Sequence, residues 1–267
     1  MTSLADHQST KSTKLLLIGN PGTGKTGSLV SLVKAGYKLR VLDFDNGLDS
    51  LATYVRKECP DKLPNVEFRS LRDKYKTSPS IMGSQVDGTP TAFTDAFKML
   101  DRWKYDNVDL GRPADWDDNT VLVIDSSTRL GDAALNWATF MNPSAKDGRQ
   151  TYGAAQGAFE NMVALLTSSD FKPNVIMICH IRYMTAPDGS SKGFPTAVGV
   201  ALGPTIPAYF NSILLMETTG TGTSIQRTIK TVPTATIDLK NPAPFDIAPA
   251  LPIGTGLADF FAKVKGK

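Results

Sequence analysis

Gly19-Asn20-Pro21-Gly22-Thr23-Gly24-Lys25-Thr26 follows an apolar run, Leu15-Leu16-Leu17-Ile18, and precedes a helical pattern from Ser28 to Ala35. This is G-x-x-x-x-G-K-[ST] in the setting it requires: strand, glycine loop, helix. Glycines let successive backbone N–H groups curl around a polyphosphate. The start of a helix adds partial positive charge toward the same anion. Lys25 can reach the β and γ phosphates, and the Thr26 hydroxyl can ligate Mg²⁺. The stretch implies a nucleoside triphosphate held by Asn20, Pro21, Gly22, Thr23, Gly24, Lys25, Thr26 and Gly27.

The rest of the composition sets loose limits around that loop. A chain of 267 residues suits one α/β domain with insertions or a small appendage. A hydrophobic share of 41% is enough for a sizeable core. The formal net charge of +3 neither demands nor excludes nucleic acid, because a local basic patch matters more than the total. Cys59 and Cys179 fit no metal spacing, and Cys179 sits in an apolar run, as a buried thiol would. With two histidines, His7 and His180, a structural zinc site is not expected. No secretory signal and no bilayer-length apolar run is visible, so the expected setting is the cytoplasm, without membrane contact.

Read in order, residues 1–13 form a polar tail, 14–240 a single core and 241–267 a C-terminal extension on or near it. Strands are expected at Lys14–Ile18, Leu39–Asp45, Val66–Leu71, Val121–Ser127 and Asn174–His180. The runs at 121–127 and 174–180 are continuously apolar, as in strands buried on both faces of a parallel sheet. Helices are expected at Leu48–Lys57, from Thr91 (Phe93, Phe97, Leu100, Trp103), at Leu130–Met141 (Leu130, Ala134, Trp137, Met141 on one face) and at Ala154–Leu166. Gly36 stands where a helix would stop. Residues 72–89, 142–152 and 184–205 show no clear period and read as loops. Ile213–Glu217 and Ser224–Lys230, with glycines at 220 and 222 between them, suggest an antiparallel pair. A short helix is expected near Leu257–Val264. Alternating strands and helices mean a mostly parallel central sheet flanked by helices, with ligand at the carboxyl ends of the strands.

Asp125 ends one of the buried strands, where a carboxylate could hold Mg²⁺ beside Thr26. From here the chain resembles the RecA-like P-loop ATPases. Val41-Leu42-Asp43-Phe44-Asp45-Asn46-Gly47-Leu48-Asp49 resembles the family segment that ends in a catalytic glutamate, with Asp45 at the glutamate position. Ile124-Asp125-Ser126-Ser127 is similar to the family's second nucleotide motif. Val175–Arg182 resembles the strand that leads into the second DNA loop, and His180 falls where a glutamine senses the γ-phosphate. The likeness runs over roughly residues 13–232 and is nearest to small phage-encoded RecA-core (AAA/Sak-type) proteins, including those of single-strand annealing. It departs at Asp45, one methylene shorter than glutamate, so Asp43 remains a second candidate for the base.

The resemblance implies a RecA-like core with a C-terminal antiparallel strand extension, and ATP and Mg²⁺ as cofactors. It makes Lys25, Asp45 and His180 catalytic and has Thr26 and Asp125 hold the metal. It places single-stranded DNA contacts on two loops: Lys146, Arg149 and Tyr152 in the first, Arg182, Lys192 and Phe194 in the second. Arg227 and Lys230 lie where related ATPases reach a neighbour's phosphate in trans. The implied partners are further copies in a ring or filament, single-stranded DNA and a single-strand-binding protein, in the host cytoplasm if the chain is phage-encoded. The rival reading is a nucleotide-dependent assembly or regulatory switch acting on a protein without touching DNA. A small-molecule kinase is the third.

Overall fold

The structure, a computed structural model, describes residues 12–145 and 147–266. In chain order its main elements are β1 (Lys14–Gly19), α1 (Lys25–Ser28), α2 (Val30–Lys34), β2 (Lys38–Asp43), α3 (Asp49–Glu58) and β3 (Val66–Ser70). The hairpins β4 (Tyr75–Ser78) with β5 (Gly83–Val86), and β6 (Lys104–Tyr105) with β7 (Val108–Asp109), flank α4 (Ala92–Asp101). Next come β8 (Thr120–Asp125), α5 (Ser127–Met141), α6 (Gly148–Thr167), β9 (Asn174–Cys179), β10 (Ile181–Thr185) and β11 (Ser191–Pro195). The chain closes with β12 (Ser212–Thr219), β13 (Gln226–Lys230), β14 (Ala250–Pro252) and α7 (Gly256–Val264).

Eight strands form the central sheet in the order β14-β13-β12-β1-β9-β8-β2-β3. From β12 to β3 every neighbouring pair is parallel, while β13 and β14 add antiparallel to the β12 edge. The inner parallel strands are apolar on both faces because both faces are covered, while the edge strand β3 is largely exposed. Leu16, Ile18, Leu122, Ile124, Val175 and Met177 face one core with α4, α5 and α6. Leu15, Leu17, Val121, Val123, Ile176 and Ile178 face the other, with α2, α3 and α7. Each such side chain contributes roughly 1.5–3 kcal/mol on burial, and slipping one strand by a residue would send each set into the other core, shaped for different side chains.

The expected strands and helices are present, with shifted ends. Helix after the glycine loop begins at Lys25 and stops at Gly36, whose φ of +94° suits glycine. There Gly36 N–H donates to Val33 O and Tyr37 N–H to Leu32 O, both at 3.0 Å, which closes the last turn. Three segments read as loops are ordered differently. Residues 72–89 contain the β4–β5 hairpin, and 184–205 contain most of the β10–β11 hairpin. Helix α6 starts at Gly148, inside the expected 142–152 loop, because the Asp147 carboxylate caps it by accepting from Arg149 N–H at 2.9 Å. On α5 the buried stripe runs Leu130, Ala134, Ala138, leaving Met141 exposed. Trp103 lies past the end of α4 yet is fully buried. No described helix is long and apolar enough to cross a membrane.

Lys14 opens β1 and is 3% exposed. Its ammonium donates to the carbonyls of Phe171 (2.5 Å) and Pro173 (2.8 Å) and lies 5.0 Å from the Phe171 ring centre. Burial pulls its pKa down to about 7. Because the folded value lies below the unfolded one, the unfolded chain binds more protons between about pH 7 and 10.5, and stability rises with pH there. Chemical denaturation of wild type and Lys14→Met across pH 7–10 is expected to show the wild type gaining on the variant as pH rises. A difference that stays flat would mean the ammonium is not desolvated.

Candidate nucleotide-binding site

Strand register places the chemistry. Ile18 pairs with Cys179, Asp125 with Ile178, and Asp43 with Asp125. The carboxyl ends of β1, β9, β8 and β2 therefore align, and the residues just beyond them share one rim of the sheet. A cavity of about 330 Å³ opens there, lined by the glycine loop together with Asp45, Asp125, His180, Tyr54 and Arg227.

The loop itself is built from two left-handed glycines, Gly22 (φ +78°) and Gly24 (φ +93°), which any Cβ would strain. Thr23 is buried, and its hydroxyl donates to Asn20 O at 2.8 Å, tightening the turn. The Lys25 ammonium is 6% exposed and donates to Gly19 O (2.7 Å) and Asn20 O (2.9 Å), with His180 Nδ1 at 3.4 Å. Burial lowers the Lys25 pKa, while Asp125, Cys179 and Asp45 hold it up.

Thr26 Oγ1 donates to Asp125 Oδ2 at 2.7 Å. Asp125 is 2% exposed, and burial pushes its pKa up to about 6; the Thr26 hydrogen bond opposes that, and Asp45 and Asp43 add to it. A hydroxyl and a carboxylate at this spacing are hard oxygen donors of the kind Mg²⁺ takes. Among the described residues no group of three or more His, Cys, Asp or Glu side chains gathers to hold a metal. The pair therefore fits Mg²⁺ carried in with phosphate and water oxygens, the usual arrangement for that ion.

Asp43 and Asp45 have different jobs. Asp43 is 1% exposed and accepts from Asn46 N–H (2.8 Å), Gly47 N–H (3.4 Å) and the Ser70 hydroxyl (3.3 Å). Burial raises its pKa against those hydrogen bonds. It shapes the turn after β2, in which Asn46 takes a left-handed φ of +56°. That turn presents Asp45 to the cavity, where its Oδ1 accepts from the Ser126 hydroxyl at 3.1 Å. The Asp125–Ser126 peptide is cis.

His180 sits at the root of the β10–β11 hairpin. Its carbonyl accepts from Thr196 N–H at 2.9 Å, and its N–H donates to Thr128 Oγ1 at 3.4 Å. Burial lowers its pKa, as does Lys25, while Asp45 and the Gly19 backbone oppose the shift.

The remaining described candidates sit on β10–β11, α6 and β13. Arg227, placed by the resemblance where related ATPases reach a neighbour, lies over the loop of its own chain: Nε donates to Gly22 O at 3.4 Å. A Cβ on Gly24 would stand 3.1 Å from Arg227 Cδ and 2.8 Å from Ile253 Cδ1, so both side chains roof that glycine. Lys230 points to Glu217 at 3.7 Å. Arg182 and Phe194 face each other across β10–β11, and Lys192 of that hairpin pairs with Asp238 at 2.6 Å. Arg149 and Tyr152 are on the first turns of α6, while Lys146 lies outside the described residues. Ser126 lies inside the second nucleotide motif, though the sequence assigns it no role, and Tyr54 and Ile253 carry no motif that would have marked them.

Among curated proteins none matches this chain. Many solved structures resemble it at low identity, three of them as follows. A KaiC-like protein from the archaeon Pyrococcus horikoshii OT3 is 12% identical with a TM-score of 0.37, over 82% of this chain and 78% of that one. The RadB recombinase is 14% identical with a TM-score of 0.41, over 81% and 79%. The flagellar accessory protein FlaH from Methanocaldococcus jannaschii is 11% identical with a TM-score of 0.36, over 82% and 76%. A family model described as "AAA domain" matches residues 11–243, which takes in the glycine loop and every strand end that lines the cavity. The chain therefore belongs to the AAA domain family and is a P-loop ATPase with a mostly parallel α/β core.

Proposed function

We propose that residues 14–240 form one hydrolytic core, with 241–267 as an extension packed on it, and that ATP is cleaved in the cavity after β1. The observation that carries the reading is convergence: Lys25, Thr26 with Asp125, Asp45 and His180 leave four adjacent strands and line one cavity. Phosphoryl transfer asks a protein mainly for positioning and charge, and these residues supply both. Loop amides and Lys25 hold the phosphates. Thr26 and Asp125 would hold Mg²⁺, which would supply neutralisation of the phosphate charge. Asp45 takes the proton of the attacking water; it lines the cavity, while Asp43 is consumed by the turn. His180 hydrogen-bonds the γ-phosphate and passes its presence to the hairpin that begins at the next residue. Arg227 acts in cis, its guanidinium lying over the loop it would serve.

The output of this cycle, in the reading we favour, is action on single-stranded DNA in recombination or annealing of the phage type, by side-by-side copies of the chain working with a single-strand-binding protein. Support comes from the β10–β11 hairpin, which starts beside His180 and carries Arg182 opposite Phe194, a cation and an aromatic ring on one face. One observation favours the rival, a nucleotide-dependent switch on a protein partner. Lys192 of the same hairpin has Asp238 beside it at 2.6 Å, which leaves that face less basic.

Turnover measured with and without single-stranded DNA, at two salt concentrations, tests the assignment. Lys25→Ala is expected to lose nucleotide binding. Asp45→Asn should keep binding and lose roughly 10²–10⁴-fold in turnover. Undiminished hydrolysis in Asp45→Asn would move the base elsewhere. DNA stimulation that fades with salt supports the nucleic-acid role, and none at low salt favours the switch.

A mixing experiment separates cis from trans. Arg227→Ala alone should lower turnover about 100-fold, the scale of one charge-stabilising donor. Combining Arg227→Ala with Lys25→Ala chains should restore nothing, since neither subunit then owns a complete site. Recovered activity would show that the arginine serves a neighbour.

A further inference from the structure

A second cavity, of about 420 Å³, opens beyond Asp45 and His180. These two side chains line both cavities and so form their common wall. The hydrolytic scheme makes no use of the second space. Phe44, Leu71, Ala92 and Ala133, all nearly buried, form its small apolar floor, and most of the exposed lining is polar. Its rim carries two arginines and one tyrosine: Arg72, Arg129 and Tyr75.

The rim has the features of a ligand site. Arg72 is exposed and has no ion-pair or hydrogen-bond partner among the described residues. Arg129 is tied only to Asp132, at 2.8 Å on the same helix, with both side chains more than half exposed. Such a pair is weakly held and can be traded for a phosphate. Tyr75 is 56% exposed, yet its hydroxyl accepts from Asn136 Nδ2 at 2.8 Å. Asn136 in turn donates to Asp73 Oδ2 at 2.9 Å, and the other oxygen of Asp73 accepts from the N–H groups of Thr91 and Ala92. The ring is thus an exposed aromatic face held in place before anything binds, which lowers the entropy cost of stacking on it. Three acids line the cavity, Asp45, Asp73 and Asp132; both oxygens of Asp73 are engaged by neutral N–H donors, and the arginines supply the positive charge an incoming anion meets.

We propose that this cavity takes one nucleoside monophosphate unit. Its base lies over the apolar floor and against Tyr75, and its phosphate meets the guanidinium forks of Arg72 and Arg129. The volume lies within the range of small-molecule sites. The same chemistry is offered by a free nucleotide and by one residue of a single strand; only the second source rests on the nucleic-acid reading above. Filling the cavity presses on the wall shared with the hydrolytic site, so an occupant there is sensed by Asp45 and His180 directly.

The test uses the full chain saturated with ADP and Mg²⁺, so that the glycine loop is already taken. One probe is a fluorescein-labelled oligothymidylate read by anisotropy, and the other is free thymidine monophosphate read by calorimetry. At least one probe is expected to bind wild type. The Arg72→Ala/Arg129→Ala double variant and, separately, Tyr75→Ala should each weaken that binding tenfold or more. Affinity for a fluorescent ADP should stay within twofold, which shows that the variants are folded. Tyr75→Phe, which keeps the ring, should retain most of the binding. Oligomer binding alone with this pattern makes the strand the source, and monophosphate binding with the same pattern makes it the free nucleotide. Oligomer binding that ignores all these substitutions overturns the inference and leaves the DNA reading standing. Failure of both probes on wild type overturns the inference, while the DNA reading, whose hairpin answers to the γ-phosphate, stands or falls on the turnover measurement.

Discussion

Burial of the parallel strands on both faces is the constraint on which the rest depends. In β1, Leu16 and Ile18 enter one core while Leu15 and Leu17 enter the other, and β8 and β9 repeat the pattern. Neither face can be surrendered to solvent, so register is held strictly. Strand ends then fall level, and whatever the sequence writes just after β1, β9, β8 and β2 is delivered to one rim. Catalytic geometry is inherited from core packing, and the polar residues follow.

At that rim, burial and charge oppose each other. Lys25 and Asp125 are both almost fully enclosed, and each is pushed toward its neutral form. Each also favours the other's charged form, so the pair is retained as a mutual dependence. The Lys25 ammonium meanwhile rests on two neutral carbonyls. In the proposed reading a phosphate offers it a charged acceptor instead, which is the stronger kind of hydrogen bond. Asp43 illustrates the same economy, its carboxylate used to shape a turn so that its neighbour two residues on can face the cavity.

The antiparallel strands added at the β12 edge bring a second layer to the site. β13 carries Arg227, and the residue after β14, Ile253, joins it above Gly24. That glycine is therefore constrained twice, by its left-handed φ and by the roof a Cβ would strike. Helix α7 buries Leu257, Phe260 and Phe261 in the same core as α2, which anchors the end of this extension.

From the residues alone, the glycine loop, the buried strands, most helices and the β12–β13 pair could be read, because each is a local pattern: a motif with fixed spacing, a period of 3.6, or an unbroken apolar run. Asp45, Asp125 and His180 could be named for the same reason, as polar residues that end such runs. The hairpins within 72–89 and 184–205 could not, since short exposed strands with mixed polarity leave no period to detect. Only the folded chain decided between Asp43 and Asp45 as the residue facing the cavity, brought Ser126 to Asp45 across 81 positions, and laid Arg227 on Gly22 across 205. Those contacts depend on strand order and register, which arise from pairing between distant segments and have no signature in any one of them.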